Sequence, residues 1–541
     1  MDRKFTIWPV LILFLLMGCG DQIEEQKQDT TPSEAHLTMI TESVSLITGG
    51  EGYVDFRISP YGTTFNYDVP GNKSDISLSK VSGVAADFPF KISRIEPLGE
   101  GTYRVFLKDA SIKFTYNELL CLSFKDALGR FTRSNGFRVA CSCDETTQKL
   151  IDTGLPLVII VTDNGEEPTC EYVSHPPGCN GAGIKNATKV PGSVTILEKG
   201  NIKYTSGDYK EKESGMTVRI RGNTSAYGAK KPYKIKLQKK ADLLSRDDGK
   251  DHRDKDWLLL RYDGLKTMAG FKVNDLLGLQ WTPGFQFVNV LFNGDYRGLY
   301  MLTESVKRND TARLNVSKEG YVIEYDAYWW NEDFFFTNGW NYSMAYTFKY
   351  PEEDEVTPEQ VTYIKNYIKK VEDGVRNGTY DSYIDVTSFA RWLLAHDILG
   401  NLDVAGSNIY MTKFDNSDGS LLKMANLWDF DNIYRMEGNW SNAHLWGAGY
   451  FPQLLASKNP AFRQAYVSLW NTHSNSVFKA TSNLLKNFAS SETGKAVDAS
   501  IVLDNKRWKS SQCTVEESYE TAKGWFETRP SYLSSAIAGL R

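Results

Sequence analysis

From Leu37 to Ala140 apolar residues recur at every second position in short runs (SVSLI, GYVDFRI, DISLSKV, TYRVFLKD, LLCLSFKD, FRVAC) separated by Gly, Pro and Asn. A period of two with turn residues between runs predicts an antiparallel, immunoglobulin-like β-sandwich over residues 36–146. Ser142 to Lys149 is polar and marks a junction, and LPLVIIVT at 155–162 then reads as a buried strand opening a second unit, 150–541. There the period changes repeatedly. Thr217 to Ile220 alternates as a strand, and in KKPYKIKL (230–237) Tyr233, Ile235 and Leu237 share one face while Lys234 and Lys236 share the other. FQFVNVLF and RGLYMLTE flank Asn293-Gly294, the signal of a hairpin. Helical periodicity appears over Pro358 to Val371, Val386 to Leu399 and the last fifty residues, so the second unit is α+β.

The start of the chain follows another rule. Asp2-Arg3-Lys4 and an apolar run from Ile7 to Met17 form a secretory signal, too short for a membrane span, and the run ends in Leu16-Met17-Gly18-Cys19. This resembles the lipobox of bacterial lipoproteins, which implies that residues 1–18 are removed and that Cys19 is acylated. Residues 19–35 are an acidic flexible tether whose composition resembles export signals of Bacteroidetes-type surface lipoproteins, so the expected location is the outer membrane or cell surface. Six cysteines remain (Cys121, Cys141, Cys143, Cys170, Cys179, Cys513), and in an exported chain an even number reads first as disulfides, with Cys170 and Cys179 able to close a small loop.

The 541 residues carry 62 Lys and Arg against 67 Asp and Glu, a net charge of −5, which excludes a basic field for nucleic acid. The chemistry is local instead. Arg221-Gly222-Asn223-Thr224-Ser225 lies between two strands, where its amides, hydroxyls and guanidinium can cradle phosphates, with Lys230 and Lys234 as further point charges. Asp403 and Asn408 follow a helix ending near Gly400, and Asp429-Phe430-Asp431 closes a predicted hairpin. Two aspartates at i and i+2 in extended chain point the same way and can share a hard cation. The aromatic cluster Trp329, Trp330, Phe334, Phe335, Phe336, Trp340 and Tyr342 reads as core packing around an insertion, with a glycan platform as the other reading.

RIRGNTSAYGAKKPYKIKL (219–237), DWLLLRYD (256–263), FVNVLFNGDYRGLYMLTESVKR (287–308), KYPEEDEVTPEQ (349–360), YIDVTSFARWLLAHDILGNLDVAGSNIYM (383–411) and NLWDFD (426–431) occur in one order. In that order they resemble the CotH-type kinases, which share an atypical protein-kinase-like fold. The resemblance implies ATP with Mg²⁺ or Mn²⁺ as cofactors and a protein hydroxyl as phosphoryl acceptor. It implies Asp403 as the residue that takes or orients the hydroxyl proton, and Asn408 with Asp429 and Asp431 as metal ligands. Arg221, Asn223, Thr224, Ser225, Lys230 and Lys234 would line the phosphates, and Glu304 the adenine side. The family shows an Arg in the helix after the DWLLL strand; here the stretch is DGLKTMAG (263–270), with Lys266 as its replacement. Scarce extracellular ATP keeps a second reading in play, a catalytically silent surface lipoprotein that binds glycan, envelope or protein.

Overall fold

The computed structural model describes residues 34–540 apart from 47–50, 67–74, 82–87, 89, 110–115, 127–128, 142–144, 180, 338–339, 341–343 and 353–354. The signal peptide, Cys19 and nearly all of the tether lie outside the described residues, as does Tyr342. The N-terminal unit is all β: β1 (His36–Met39), β2 (Ser43–Leu46), β3 (Glu51–Ser59), β4 (Ile76–Lys80), β5 (Phe90–Gly99), β6 (Thr102–Asp109), β7 (Tyr116–Lys125), β8 (Phe131–Arg133) and β9 (Phe137–Cys141). Two sheets, ordered β1-β3-β6-β5 and β2-β9-β7-β4 with β8 on β7, close on inward residues such as Val54, Phe56, Val105, Leu122 and Val139. One pairing departs from the expected antiparallel pattern: β2 runs parallel to β9. The expected disulfides are not formed among the described residues, where Cys121, Cys170, Cys179 and Cys513 are free thiols. Cys121 is buried with its Sγ 3.2 Å from the Ser79 hydroxyl, and an extended strand at Glu171–Ser174 carries the chain away from Cys170 before it reaches Cys179.

The polar junction is a helix, α1 (Glu145–Asp152), whose Leu150 packs on the next sheet. That sheet takes β10 (Leu157–Thr162), then, after the separate hairpin β11 (Glu171–Ser174) and β12 (Ala182–Lys185), β13 (Val190–Glu198), β14 (Asn201–Thr205), β15 (Met216–Ile220), β16 (Tyr233–Ala241), β17 (Asp254–Arg261), β18 (Phe285–Phe292) and β19 (Asp295–Glu304); α2 (Lys266–Leu276) intervenes after β17. The order β10-β18-β19-β17-β16-β15-β13 returns to β10 through a β10–β13 pairing, so these strands close a barrel. Val158, Ile160, Val218, Ile220, Tyr233, Ile235, Leu237, Trp257, Val288 and Leu302 belong to the one buried cluster that fills it. Gly192 sits at the seam, facing Thr162 and Met216 on two neighbours, where a Cβ would lie 2.3 Å from the Val161 carbonyl oxygen.

A five-stranded sheet, β21-β22-β20-β23-β24, forms the other half, from β20 (Tyr321–Asp326), β21 (Phe335–Phe336), β22 (Ala345–Tyr350), β23 (Ile409–Lys413) and β24 (Lys423–Met424). Further helices are α3 (Pro358–Asn377), α4 (Val386–Leu399), α5 (Phe451–Ala456), α6 (Ala461–His473), α7 (Val477–Ala489), α8 (Glu492–Trp508) and α9 (Val515–Ala538); α4 packs beside β24, and α8 packs on β19 of the barrel. The mixture of helix and strand is that of an α+β unit. No helix among the described residues is long and apolar enough to cross a membrane. Of the aromatic cluster, Phe336 is buried and Trp340 packs edge-on against Tyr450, whereas Phe334 and Phe335 stay exposed.

Candidate functional site

A cleft of about 720 Å³ separates the barrel from the second sheet. Its upper wall is the turn after β15. Gly222 adopts φ +87, and a Cβ there would fall 2.3 Å from the Ser225 hydroxyl oxygen, so this turn requires glycine. Asn223, Thr224 and Ser225 follow it and, with Arg221, line the cleft. Arg221 has no ion-pair partner among the described residues.

The lower wall begins at α4. Asp385 caps its start, accepting from the Ser388 amide at 2.9 Å, and Gly400 ends it in the left-handed region, φ +67, packed against Trp525. Buried Asn401 then donates to the Asp429 carbonyl at 2.6 Å, which ties the helix end to the 426–431 segment. Asp403 lines the cleft and is oriented by Asn432, whose amide donates to it at 2.8 Å. Asn408 adopts φ +61; its backbone N–H donates to Glu324 on β20 at 3.1 Å, and its side chain donates to Asp429 at 3.0 Å. Asp429 is also left-handed, φ +63, a region that Asp, like Asn, tolerates better than most side chains. The extended-chain argument for Asp429 and Asp431 therefore fails locally, yet both aspartates line the cleft. Burial first, then the neighbouring Asp431 and Asp403 carboxylates, push the Asp429 carboxyl up to about 6 against the pull of Arg221.

Four of the cations and acids named from the sequence are engaged elsewhere. Lys234 lies on the outer face of the barrel, outside the cleft, paired with Asp256 at 2.9 Å. Glu304 is 1 % exposed, also away from the cleft; it accepts from the Gly284 amide at 2.7 Å and from Arg246 at 3.0 Å, with Arg313 3.5 Å away, so it meets no adenine. These are corrections with one cause: each side chain found a counter-charge that the sequence placed far away. Lys230 does line the cleft, but its ammonium is spent on Asp504 at 2.5 Å and the Leu299 carbonyl at 2.7 Å. Lys266 lines it too and donates to the Asp431 carbonyl.

A family model described as CotH kinase protein matches residues 218–533, more than half of the chain. The chain belongs to this CotH family. The CotH match thus takes in both walls of the cleft. A search of curated proteins returns no match. Among solved structures, the chain is similar to the fibronectin(III)-like modules of Clostridium thermocellum CbhA, at 10 % identity over 37 % of this chain and 83 % of that one, TM-score 0.13. It is also similar to FdeC, an Escherichia coli adhesin, at 11 % identity over 50 % and 87 %, TM-score 0.14.

The CotH cleft holds residues that the sequence reading did not single out. Asp263 accepts from the Thr267 amide and hydroxyl at 2.8 and 2.6 Å, and burial is the main cause that pushes its carboxyl up to about 6. Asp326 and Glu324 come from β20; burial and then the Glu324 charge push Asp326 up to about 8. Arg261, Tyr328, Trp508 and Gln512 also line it. The detectable signal was the Glu-Tyr-Asp at the end of an apolar strand, 324–326, acids at i and i+2 where core residues were expected. As a cation site, the CotH cleft offers a spare pair of oxygen donors, Asp429 and Asn408, with Asp431 beside them. Among the described residues no three His, Cys, Asp or Glu side chains gather into a ready metal cluster. This donor set fits Mg²⁺, which is usually bound through one or two carboxylates plus substrate phosphates.

Proposed function

We propose that the CotH domain binds ATP with Mg²⁺ or Mn²⁺ and transfers the γ-phosphoryl group to a protein hydroxyl, in a lipoprotein held at the outer membrane or cell surface through Cys19. The observation that carries this reading is the division of one cleft into a wall of amides, hydroxyls and a free guanidinium, 221–225, and a wall of acids, Asp403, Asp429 and Asp431. Triphosphate and cation need those two surfaces at once. The 222–225 turn and Arg221 bind phosphate oxygens; Asn408, Asp429 and Asp431 hold the cation, which when bound neutralises charge on the transferring group. Asp403, fixed by Asn432, takes the proton of the acceptor hydroxyl as its oxygen bonds to the γ-phosphorus. The bond from that phosphorus to the β–γ bridging oxygen breaks, and ADP leaves.

The test is γ-phosphate transfer from labelled ATP by the full chain with Mg²⁺ or Mn²⁺, comparing wild type with Asp403→Ala and Asp431→Ala. Label on the chain or on an envelope protein, lost in both variants, supports the reading. A wild-type chain that neither binds nucleotide nor transfers label sinks it and leaves a kinase-like binding protein of the envelope.

A further inference from the structure

We infer that Arg261, the last residue of β17, is the guanidinium that grips the triphosphate from the barrel side of the cleft; this rests on the phosphotransfer reading. Arg261 lines the cleft with Lys230, Lys266 and Asp263, and the two lysines are committed. Lys230 is held by Asp504 and the Leu299 carbonyl and Lys266 by the Asp431 carbonyl, while Asp263 accepts from Thr267 through Oδ2 and keeps Oδ1 unpaired among the described residues. The Arg261 guanidinium has no hydrogen-bond or ion-pair partner among the described residues, although acids line the same cleft. A guanidinium left free beside committed cations keeps its fork of donors for an incoming anion, and that fork matches phosphate oxygens two at a time.

The loop above it is cut to make room. Gly228 closes the turn 224–227 with φ −59, a conformation open to any residue, so its backbone does not demand glycine. A Cβ there would lie 3.1 Å from Nη1 of Arg261, so the guanidinium would have to give by a few tenths of an ångström. The CotH resemblance implies an arginine in α2, where this chain carries Lys266. Lys266, at the start of that helix, is drawn to the 426–431 segment, and the guanidinium comes instead from the strand before it.

The test measures affinities of the full chain for ATP and for adenosine, both with Mg²⁺, by calorimetry, alongside Tm. Arg261→Met is expected to weaken ATP by roughly ten- to a hundredfold, the range of a lost charged hydrogen bond, with adenosine binding and Tm unchanged. Arg261→Lys recovers only part of the loss, and Gly228→Val, which fills the space of Nη1, weakens ATP in the same selective way. If wild type binds ATP and Arg261→Met binds it equally well, Arg261 has no such role and the phosphotransfer reading stands. Equal losses for ATP and adenosine overturn it as well, because they report a collapsed cleft. If wild type does not bind ATP at all, both fall together.

Discussion

Lys230 and Asp504 are 274 residues apart in sequence and 2.5 Å apart in the fold. Both are buried, and the Asp504 carboxylate also accepts from the Leu299 amide at 2.8 Å and from Gln512. The contact fastens α8 to the loop that lines the cleft, so the C-terminal helices are part of the site's frame. Removing one partner strands the other charge in a dry place, which costs about 3–5 kcal/mol. Asp504→Ala is therefore expected to lower Tm by several degrees. Lys230→Met with Asp504→Leu together should recover part of that loss, the share due to the stranded charge, and keep ATP affinity within a few-fold, since Lys230 is spent on structure. A large loss of ATP binding in the double variant at unchanged Tm would return Lys230 to the phosphates.

Glu304 offers the converse comparison. Glu304→Ala leaves the Gly284 amide without its acceptor and removes one of two carboxylates from Arg246, which keeps Asp242, and the nearest one from Arg313, so unfolding by urea should show a loss of about 1–3 kcal/mol. The preference for ATP over GTP should not move. A changed base preference at full stability would restore the adenine-side role.

Gly270 of α2 is where packing meets chemistry. A Cβ there would fall 2.2 Å from the Phe430 ring, which lies between Asp429 and Asp431 and meets Phe271 edge-on, centroids 5.7 Å apart. Gly270→Val is expected to cost about 1–3 kcal/mol by overpacking and to displace Phe430 with its flanking acids. Mg²⁺-dependent ATP affinity should drop by far more than Tm indicates. Gly524→Ala in α9, with open space around it, serves as control and should be neutral or slightly stabilising.

Glu372 gives a pH dependence away from the cleft. It is 1 % exposed, with the Tyr450 hydroxyl donating at 3.2 Å, and burial pushes its carboxyl up to about 7 from an ordinary 4.5. Between those values the folded chain keeps a proton that the unfolded chain releases, so its contribution is full below about pH 4.5 and is lost as pH rises to about 7. Glu372→Gln mimics the protonated form. Its Tm should match wild type near pH 4.5, exceed it by a growing margin up to pH 7, and hold that margin beyond; a constant difference at every pH contradicts this.

Much of the fold was legible because it is written in short periods. Alternation in GYVDFRI and TYRVFLKD marked β3 and β6, Asn293-Gly294 marked the β18–β19 turn, and Val386 to Leu399 bounded α4 as found. The sandwich misled at β2, whose parallel pairing with β9 leaves no local trace. Barrel closure was also invisible, since it needs β10 to pair with β18, Leu157 against Asn289, strands far apart in sequence.

For the site, the sequence alone determined which residues can do phosphate and cation chemistry: Arg221 to Ser225 after a strand, Asp403 and Asn408 after a helix, Asp429 and Asp431 after a hairpin. Each is bound to a local turn, and local turns follow from local residues. Tertiary structure decided which charges remain free. Lys230, Lys234, Lys266 and Glu304 read identically to free ligands until Asp504, Asp256, the Asp431 carbonyl and Arg246 arrive from distant segments to claim them. The Arg261 guanidinium stays open because no such partner reaches it among the described residues. A charge's availability depends on every group within a few ångströms, and that neighbourhood exists only once the chain has folded.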